Sequence, residues 1–190
     1  DCIVVDNNDL NSFDDGIVIR DSEGAQGTDN ELTDIDDDGI RILNGSHNSY
    51  VAGNTVNDAG FGTFDQGVVV ADSNGVTVFD NDISNAQTGV AGFNSDNLTI
   101  DDNEIDATNY GISVDGSAGL TITNNDVDAN GGPGNGVRGI SVTNSSDANV
   151  EDNRVDDFVT GIYATRSSNV EIDNNDVLDA DYGIYANRVS

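Results

Sequence analysis

The stretch NLTIDDNEIDATNYGISV at residues 97–114 contains the pattern that decides the fold of this protein. The stretch NVEIDNNDVLDADYGIYA at residues 169–186 repeats its order of apolar residues, polar pairs, an Asn and a Gly-Ile dipeptide. Short alternations of apolar and polar residues are typical of β-strands with one buried face. Their return elsewhere in the same chain indicates a repeat architecture.

Two independent markers give the length of the repeat. One is a Gly followed by Ile, Val or a similar residue, and the other is the Asn of an N-x-apolar unit. Both keep a period of about 22 residues, with a few longer copies, which is typical of a solenoid. The glycine marker is at Gly16, Gly39, Gly67, Gly89, Gly111, Gly139, Gly161 and Gly183, and the asparagine marker is at Asn8, Asn30, Asn54, Asn81, Asn103, Asn125, Asn153 and Asn175.

Each period contains three short alternating segments separated by Gly, Asn, Asp and Ser, and no segment has helical length or periodicity. Three strands per turn predict an all-β fold, a right-handed, single-stranded parallel β-helix in which equivalent positions stack. We expect about eight coils of about 22 residues. Residues 1–190 are expected to form a single domain, either as a segment of a longer chain or as a subunit that stacks.

Stacking explains why the same residues recur at the corners. The Asn column is interpreted as an inward ladder whose amides satisfy backbone groups that a bend leaves unpaired. The Gly column is expected where a Cβ would clash or φ must be positive. His47, the single His, falls at an ordinary corner and is interpreted as a corner residue.

The unit SSNVEIDNNDVLDADYGI at residues 167–184 follows the pattern S-x-N-V-x-I-x-x-N-x-V…G-I. This pattern resembles the parallel β-helix repeat family of the pectate-lyase-like superfamily, and the resemblance covers essentially the whole chain. It implies the fold and leaves the function open, because members include polysaccharide lyases, hydrolases, epimerases, phage tailspikes, adhesins and surface proteins.

The chain has 36 acidic and 6 basic residues, and its net charge is -30. Such a charge argues against nucleic acid or an anionic membrane as a partner. No apolar run approaches the length of a membrane span, so no membrane insertion is expected. Two explanations of the acidity stay open: adaptation to high salt, which the composition's resemblance to halophile proteins favours, and dedicated binding of divalent cations.

Two stretches look like the start of a calcium-binding loop, because acids alternate before a Gly. A helix-loop-helix site is excluded, since the residues at its twelfth position are Gly45 and Val137. The alternative is that these acids simply point outward from extended chain. The candidate ligands of Ca²⁺ or another cation are Asp34, Asp36 and Asp38 in one stretch and Asp126, Asp128 and Asn130 in the other.

Acids also stack from coil to coil, one position after the Asn marker. Like charges about 5 Å apart repel unless cations or salt intervene, so we expect cations to stabilise the fold. Arg154 lies in this column and is expected to bridge Asp126 and Asp176.

A candidate binding surface follows from the position two residues after the Gly marker, which points outward. There Tyr163 and Tyr185 stack, with Arg166 and Arg188 three residues further on. Rings and donors of this kind bind a sugar face or a protein partner. The alternative is that this end of the rod packs against another coil or subunit.

Two insertions, at residues 57–66 and 128–138, leave the helix at the same corner. Insertions on one edge of a solenoid mark a binding face or are tolerated surface loops. The sequons at Asn44, Asn97 and Asn144 are consistent with export.

No catalytic residues are assigned from the sequence. The chain has no Lys and a single His, and its Asp-Asp pairs are too frequent to mark an active site. The sequence therefore favours a structural or adhesive β-helical rod, extracellular or at the cell surface, without an organic cofactor. Its expected partners are glycans, copies of itself stacked end to end, or neighbouring domains. The alternative is a polysaccharide lyase or epimerase of the same superfamily.

Overall fold

The computed structural model describes residues 3–57, 65–130 and 136–190. Within these ranges the regular structure consists of β-strands alone, which confirms the all-β prediction. The strands in the first half of the chain are β1 (Val4–Asp6), β2 (Asp9–Phe13), β3 (Ile17–Arg20), β4 (Gln26–Thr28), β5 (Glu31–Ile35), β6 (Asp38–Leu43), β7 (Tyr50–Ala52), β8 (Thr55–Asn57), β9 (Gln66–Ala71), β10 (Thr77–Phe79) and β11 (Asp82–Phe93). The second half contains β12 (Thr99–Asp101), β13 (Glu104–Asp115), β14 (Thr121–Thr123), β15 (Asp126–Ala129), β16 (Gly136–Thr143), β17 (Ser146–Glu151), β18 (Arg154–Asp156), β19 (Phe158–Thr165), β20 (Ser168–Asp173), β21 (Asp176–Val177) and β22 (Tyr182–Asn187).

The strands form three parallel faces wound into eight coils, as the sequence predicts. Each strand pairs with its equivalent one coil before and one coil after. Face 1 consists of β1, β4, β7, β10, β12, β14, β17 and β20. Face 2 consists of β2, β5, β8, the first halves of β11 and β13, β15, β18 and β21. Face 3 consists of β3, β6, β9, the second halves of β11 and β13, β16, β19 and β22.

Columns of aliphatic side chains fill the interior. On face 1, Val78 pairs with Ile100 and Ile100 with Ile122, and all three are fully buried. Burying one such side chain contributes about 1.5–3 kcal/mol. Because every coil adds its own members to the columns, stability accumulates through contacts between neighbouring coils.

The Asn column is the inward ladder that the sequence predicts. The side-chain amide of Asn81 donates to Oδ1 of Asn103 at 2.9 Å and to the carbonyl of Phe79 at 3.0 Å. Its backbone N–H donates to the same Oδ1 of Asn103 at 3.1 Å. Asn103 repeats the pattern toward Asn125, and each of these amides is at most 2% exposed. The ladder therefore satisfies buried backbone groups at the corner between faces 1 and 2.

A second ladder, made of serines, lies at the corner between faces 3 and 1 and was not predicted. The backbone N–H of Ser95 donates to Oγ of Ser117 at 3.1 Å, and the Oγ of Ser95 donates to the carbonyl of Phe93 at 2.9 Å. This column contains Ser46, Ser73, Ser95, Ser117, Ser145 and Ser167, all buried. At the same corner Nδ1 of His47 accepts the N–H of Asn74 at 2.9 Å, which fits its interpretation as a corner residue.

The two longer repeats leave the helix at one corner, between faces 2 and 3. One repeat has its extra residues between the end of β8 at Asn57 and the start of β9 at Gln66, and the other between the end of β15 at Ala129 and the start of β16 at Gly136. In the coils between them, β11 and β13 cross this corner without interruption. The predicted insertions thus share a corner, although residues 58–64 and 131–135 lie outside the described residues.

Candidate functional site

Face 3 presents two outward columns next to each other. One contains the residue two positions after each marker glycine, and in its later coils it reads Ser113, Ser141, Tyr163 and Tyr185. The other contains the residue directly before each marker glycine. From the second coil to the eighth it reads Asp38, Gln66, Thr88, Tyr110, Arg138, Thr160 and Tyr182.

These columns meet in a continuous row that we call the tyrosine strip, made of Tyr110, Arg138, Tyr163, Tyr182 and Tyr185. The rings of Tyr163 and Tyr185 are stacked, with centroids 5.3 Å apart and planes 3° from parallel. Tyr182 meets Tyr185 edge to face at 6.3 Å. The guanidinium carbon of Arg138 lies 3.6 Å from the centroid of Tyr163 and 5.8 Å from that of Tyr110. The strip therefore spans four consecutive coils, about 15 Å along the axis.

Arg138 has an unusual environment for a cation in so acidic a protein. Among the described residues, the side chains that form ion pairs within 4.0 Å are Arg41 and Arg154 with their carboxylates, and Arg138 is not one of them. Its positive charge instead faces aromatic rings, which attract a cation through their quadrupoles. The guanidinium edge is thus left to donate hydrogen bonds to a ligand.

The structure places the four predicted binding residues in two groups. Tyr163 and Tyr185 are in the strip, the first half-buried and the second 40% exposed. Arg166 and Arg188 lie at the following corner, both exposed and both with left-handed φ, 51° and 56°. Nε of Arg166 donates to Oδ1 of Asn144 at 2.9 Å. Both arginines therefore border face 3 beyond the rings, and the direct aromatic contact is made by Arg138.

A shallow groove of about 220 Å³ continues the strip toward earlier coils. Its walls are Gln66, Gln87, Thr88, Ala91, Phe93, Asn109, Tyr110 and Ser113. Tyr110 belongs to both the groove and the strip, so the two form one elongated surface along face 3. Amide and hydroxyl groups beside aromatic rings are the donors, acceptors and apolar faces that a ligand site combines.

The acids of the first predicted cation set do not gather as the sequence grouped them, whereas Asp126, Asp128 and Asn130 of the second set line one cleft. In the first stretch, Asp34 has φ of 52°, so the chain turns there, and Asp36 is exposed. Asp38 instead lies beside Asp15 and Asp37, with carboxylate oxygens of all three within 4.8 Å of one another. Stacking across coils, rather than alternation along one strand, brings these acids together.

The second stretch is arranged around Arg154 on face 2. Its guanidinium is 2.9 Å from Oδ1 of Asp126 and 3.9 Å from Oδ2 of Asp128, and it also pairs with Asp156. Asp176, the expected second partner, is the register neighbour of Arg154 in the next coil but forms no ion pair with it among the described residues. The Arg154 guanidinium instead lies near Asp126 and Asp128 of the preceding coil and Asp156 of its own strand. Asn130 donates to Oδ1 of Asn85 at 2.9 Å.

An acidic cleft of about 400 Å³ opens at this corner, and Asp106, Asp128, Asp157 and Arg154 are among its lining residues. Burial raises the pKa of Asp106, whose Oδ1 has no hydrogen-bond partner among the described residues. Burial and the nearby carboxylates of Asp156 and Asp157 raise the pKa of Asp128. A second group of three close carboxylates, Asp156, Asp157 and Asp179, lies at the edge of the cleft.

The sequence matches the family described as "Right handed beta helix region" over residues 1–138 and 61–190, which together cover the chain. The chain belongs to the right-handed β-helix family. This membership confirms the predicted handedness and the predicted parallel β-helix family. By sequence, no curated protein matches the chain.

Solved structures with the same fold include enzymes and an adhesin. A mutant of the periplasmic alginate epimerase AlgG gives a TM-score of 0.78 at 17% identity, covering 97% of this chain and 50% of that one. A mutant of DFA-IIIase from Arthrobacter chlorophenolicus A6, in complex with DFA-III, gives 0.77 at 13% identity, covering 96% of this chain and 47% of that one. PfbA, a surface adhesin of Streptococcus pneumoniae, gives 0.61 at 10% identity, covering 98% and 64%.

This chain spans about half the length of the epimerase and of DFA-IIIase. At such low identity the likeness shows the fold alone, and the fold serves both enzymes and an adhesin. No helix in the described ranges is long and apolar enough to cross a membrane.

Proposed function

We propose that the protein is a salt-adapted β-helical rod, extracellular or at the cell surface, that binds saccharide chains along face 3. The observation that carries this proposal is the tyrosine strip, in which Arg138, which has no carboxylate partner among the described residues, is stacked against an outward row of tyrosines. Rings supply flat apolar faces for sugar rings, and the guanidinium and phenol groups supply hydrogen bonds for hydroxyls.

The shape of the surface fits an extended ligand. The strip and the adjoining groove run along the axis from the third coil to the eighth, from Gln66 to Tyr185. Five coil steps of about 4.8 Å give a path of about 24 Å. A linear saccharide lies along such a path, whereas a compact small molecule needs an enclosed pocket.

The charge of the protein predicts that neutral and acidic saccharides differ in how their binding depends on salt. The net charge of -30 repels a polyanion at low ionic strength, while Arg138 attracts a carboxylate locally. Salt screens the long-range repulsion more strongly than a close contact. Binding of a polyuronate should therefore strengthen as salt is added, and binding of a neutral glucan should change little.

The proposal is tested by titrating the purified chain with neutral and uronic-acid oligosaccharides in low and high salt, following heat or tyrosine fluorescence. Tyr163→Ala, Tyr185→Ala and Arg138→Gln should each weaken binding about tenfold or more, the equivalent of about 1.4 kcal/mol. Tyr50→Ala is the matched control, because Tyr50 is also exposed and stacks with Phe79, at 6.5 Å, but on face 1. Equal affinity in strip and control variants, or no binding of any oligosaccharide by the parent chain, contradicts the proposal.

Acid–base chemistry on a saccharide is the second candidate, favoured by the acidic cleft. A carboxyl with a raised pKa beside ionised carboxylates is the arrangement that glycosidic acid catalysis uses, and Asp128 and Asp106 have raised pKa values. Incubating the same oligosaccharides with the parent chain and with Asp128→Asn distinguishes the two functions. Products that form with the parent and not with the variant support catalysis, and unchanged oligosaccharides leave binding as the function.

Cations and self-association belong to the same proposal for the rod. Binding of calcium or other cations is a prediction that the close carboxylate groups support. Stacking of copies end to end and contact with neighbouring domains remain predictions from the repeat architecture. Sedimentation in low and high salt, with and without Ca²⁺, measures whether the chain associates.

A further inference from the structure

We propose that Asp15, Asp37 and Asp38 form a binding site for a hard divalent cation at the corner between faces 2 and 3. Carboxylate oxygens from all three lie within 4.8 Å of one another, close enough to share one ion. Oxygen donors of this kind suit Ca²⁺ or Mg²⁺, and water completes the coordination shell. This site differs from the ligand sets that the sequence suggests.

Register across coils explains how the three acids meet. Asp15 and Asp38 are the residues before the marker glycines Gly16 and Gly39, so they occupy the same column in the first two coils. The backbone N–H of Asp37 donates to the carbonyl of Asp14 at 2.8 Å, which holds Asp37 against the preceding coil. Ladder hydrogen bonds therefore fix the positions of the acids.

The burial of Asp38 is the independent observation that points to a ligand. Asp38 is only 5% exposed, and its Oδ1 has no hydrogen-bond partner among the described residues. Leaving a buried charged oxygen unpaired is strongly unfavourable, and buried charges in proteins are paired or coordinate a metal.

Arg41 relieves only part of the negative charge. Its Nη1 contacts both oxygens of Asp15, at 3.0 and 3.1 Å, and its Nε lies 3.3 Å from Oδ2 of Asp38. The Arg41 guanidinium thus contacts two of the three carboxylates, and Asp37 and Oδ1 of Asp38 remain for another cation. In the next coil the backbone N–H of Gln66 hydrogen-bonds the carboxylate of Asp38, but the Gln66 side chain is neutral and adds no positive charge there.

The inference is tested by isothermal titration of the purified chain with CaCl₂ at physiological ionic strength, together with thermal unfolding with and without Ca²⁺. Asp37→Asn should remove one binding equivalent and reduce the Ca²⁺-induced rise in Tm, because binding to the folded state stabilises it by mass action. Asp36→Asn is the matched control. It removes the same charge from the adjacent exposed position, outside the cluster, and should retain the parent's stoichiometry.

Asp38→Asn should also lose one equivalent of bound Ca²⁺. Because Asp38 is buried, this substitution can also destabilise the folded state, so the variant of the exposed Asp37 decides the result. Identical stoichiometry and identical Tm gain in the Asp37 and Asp36 variants overturn the proposal and leave only diffuse cation attraction. The result is independent of saccharide binding, which involves the later coils.

Discussion

At the scale of single residues, Asp106 shows how burial decides the behaviour of a side chain in this fold. It belongs to a column on face 2 with Ser84 before it and Asp128 after it. Oδ1 of Asp106 is buried and has no hydrogen-bond partner in the described part of the chain, and burial raises the pKa of this carboxyl group. The same residue in an exposed column would be one more solvated acid.

The raised pKa of Asp106 leads to a pH-dependent effect of Asp106→Asn. The ordinary pKa of an Asp side chain is 3.8. At pH values just above it, Asp106 keeps its proton in the folded state but loses it in the unfolded state. Stability contributed by this group is therefore complete below that pKa and is lost as pH rises through the folded pKa. The Tm of Asp106→Asn should match the parent near pH 3 and exceed it near pH 7.

Thermal unfolding followed by circular dichroism across this pH range measures the effect. Glu104→Gln is the control, because it removes one charge from an exposed position of the same strand. If both variants show the same pH profile, the effect comes from net charge and not from burial of Asp106.

At the scale of elements, the contact between successive coils depends on the marker glycines. A Cβ on Gly111 would lie 2.0 Å from Cγ1 of Val127 and 2.7 Å from the carbonyl oxygen of Gly139. No positive φ is involved, so the glycine is required by the close approach of the next coil. This confirms one of the two reasons that the sequence offered for the column.

Gly111→Ala should therefore destabilise the protein by about 1–3 kcal/mol, because the coils must separate or the valine must move. Gly183→Ala is the matched control, since a Cβ at this equivalent position meets nothing within 4 Å. Urea unfolding of both variants compares them directly. Equal midpoints for the two would show that the coils adjust to a methyl group without cost.

The elements also show which features could be read from the sequence. The Asn ladder and the Gly column recur at nearly every period, so repetition alone revealed them. Tyr110 and Arg138 were missed because their column, directly before the marker glycine, changes residue type from coil to coil. Reading that position across all coils would have placed them beside Tyr163, because equivalent positions stack.

The first set of cation candidates, Asp34, Asp36 and Asp38, did not form one group for a related reason. Alternation along a strand suggested Asp34 with Asp38, but proximity in a β-helix runs across coils, and Asp15 lies 23 residues before Asp38. The left-handed conformation of Asp34 turns the chain within the predicted set. The sequence thus identifies which residues repeat, whereas three-dimensional stacking identifies which ones meet.

At the scale of the whole molecule, the net charge of -30 is carried on the surface of a thin rod, so many of its acidic side chains lie close to one another. On face 2, Asp82 pairs with Glu104 and Glu104 with Asp126, so like charges stack about 4.8 Å apart. Each exposed pair repels by about 1 kcal/mol in water without salt. Among these three acids, Arg154 offsets the negative charge of Asp126 alone, through its ion pair with that side chain.

We therefore expect the Tm of the parent chain to rise with NaCl concentration, because the Debye length falls from about 10 Å at 0.1 M to about 3 Å at 1 M. A variant that neutralises the stacked column should start with a higher Tm and depend less on salt than a variant that neutralises the same number of scattered acids. The column variant combines Asp82→Asn, Glu104→Gln and Asp126→Asn, and the scattered variant combines Asp21→Asn, Asp36→Asn and Glu171→Gln. Both carry the same net charge, so differential scanning calorimetry across NaCl concentrations separates stacking from total charge. Parallel salt profiles for the two variants would mean that the rod responds to its overall charge, and that the column spacing adds nothing.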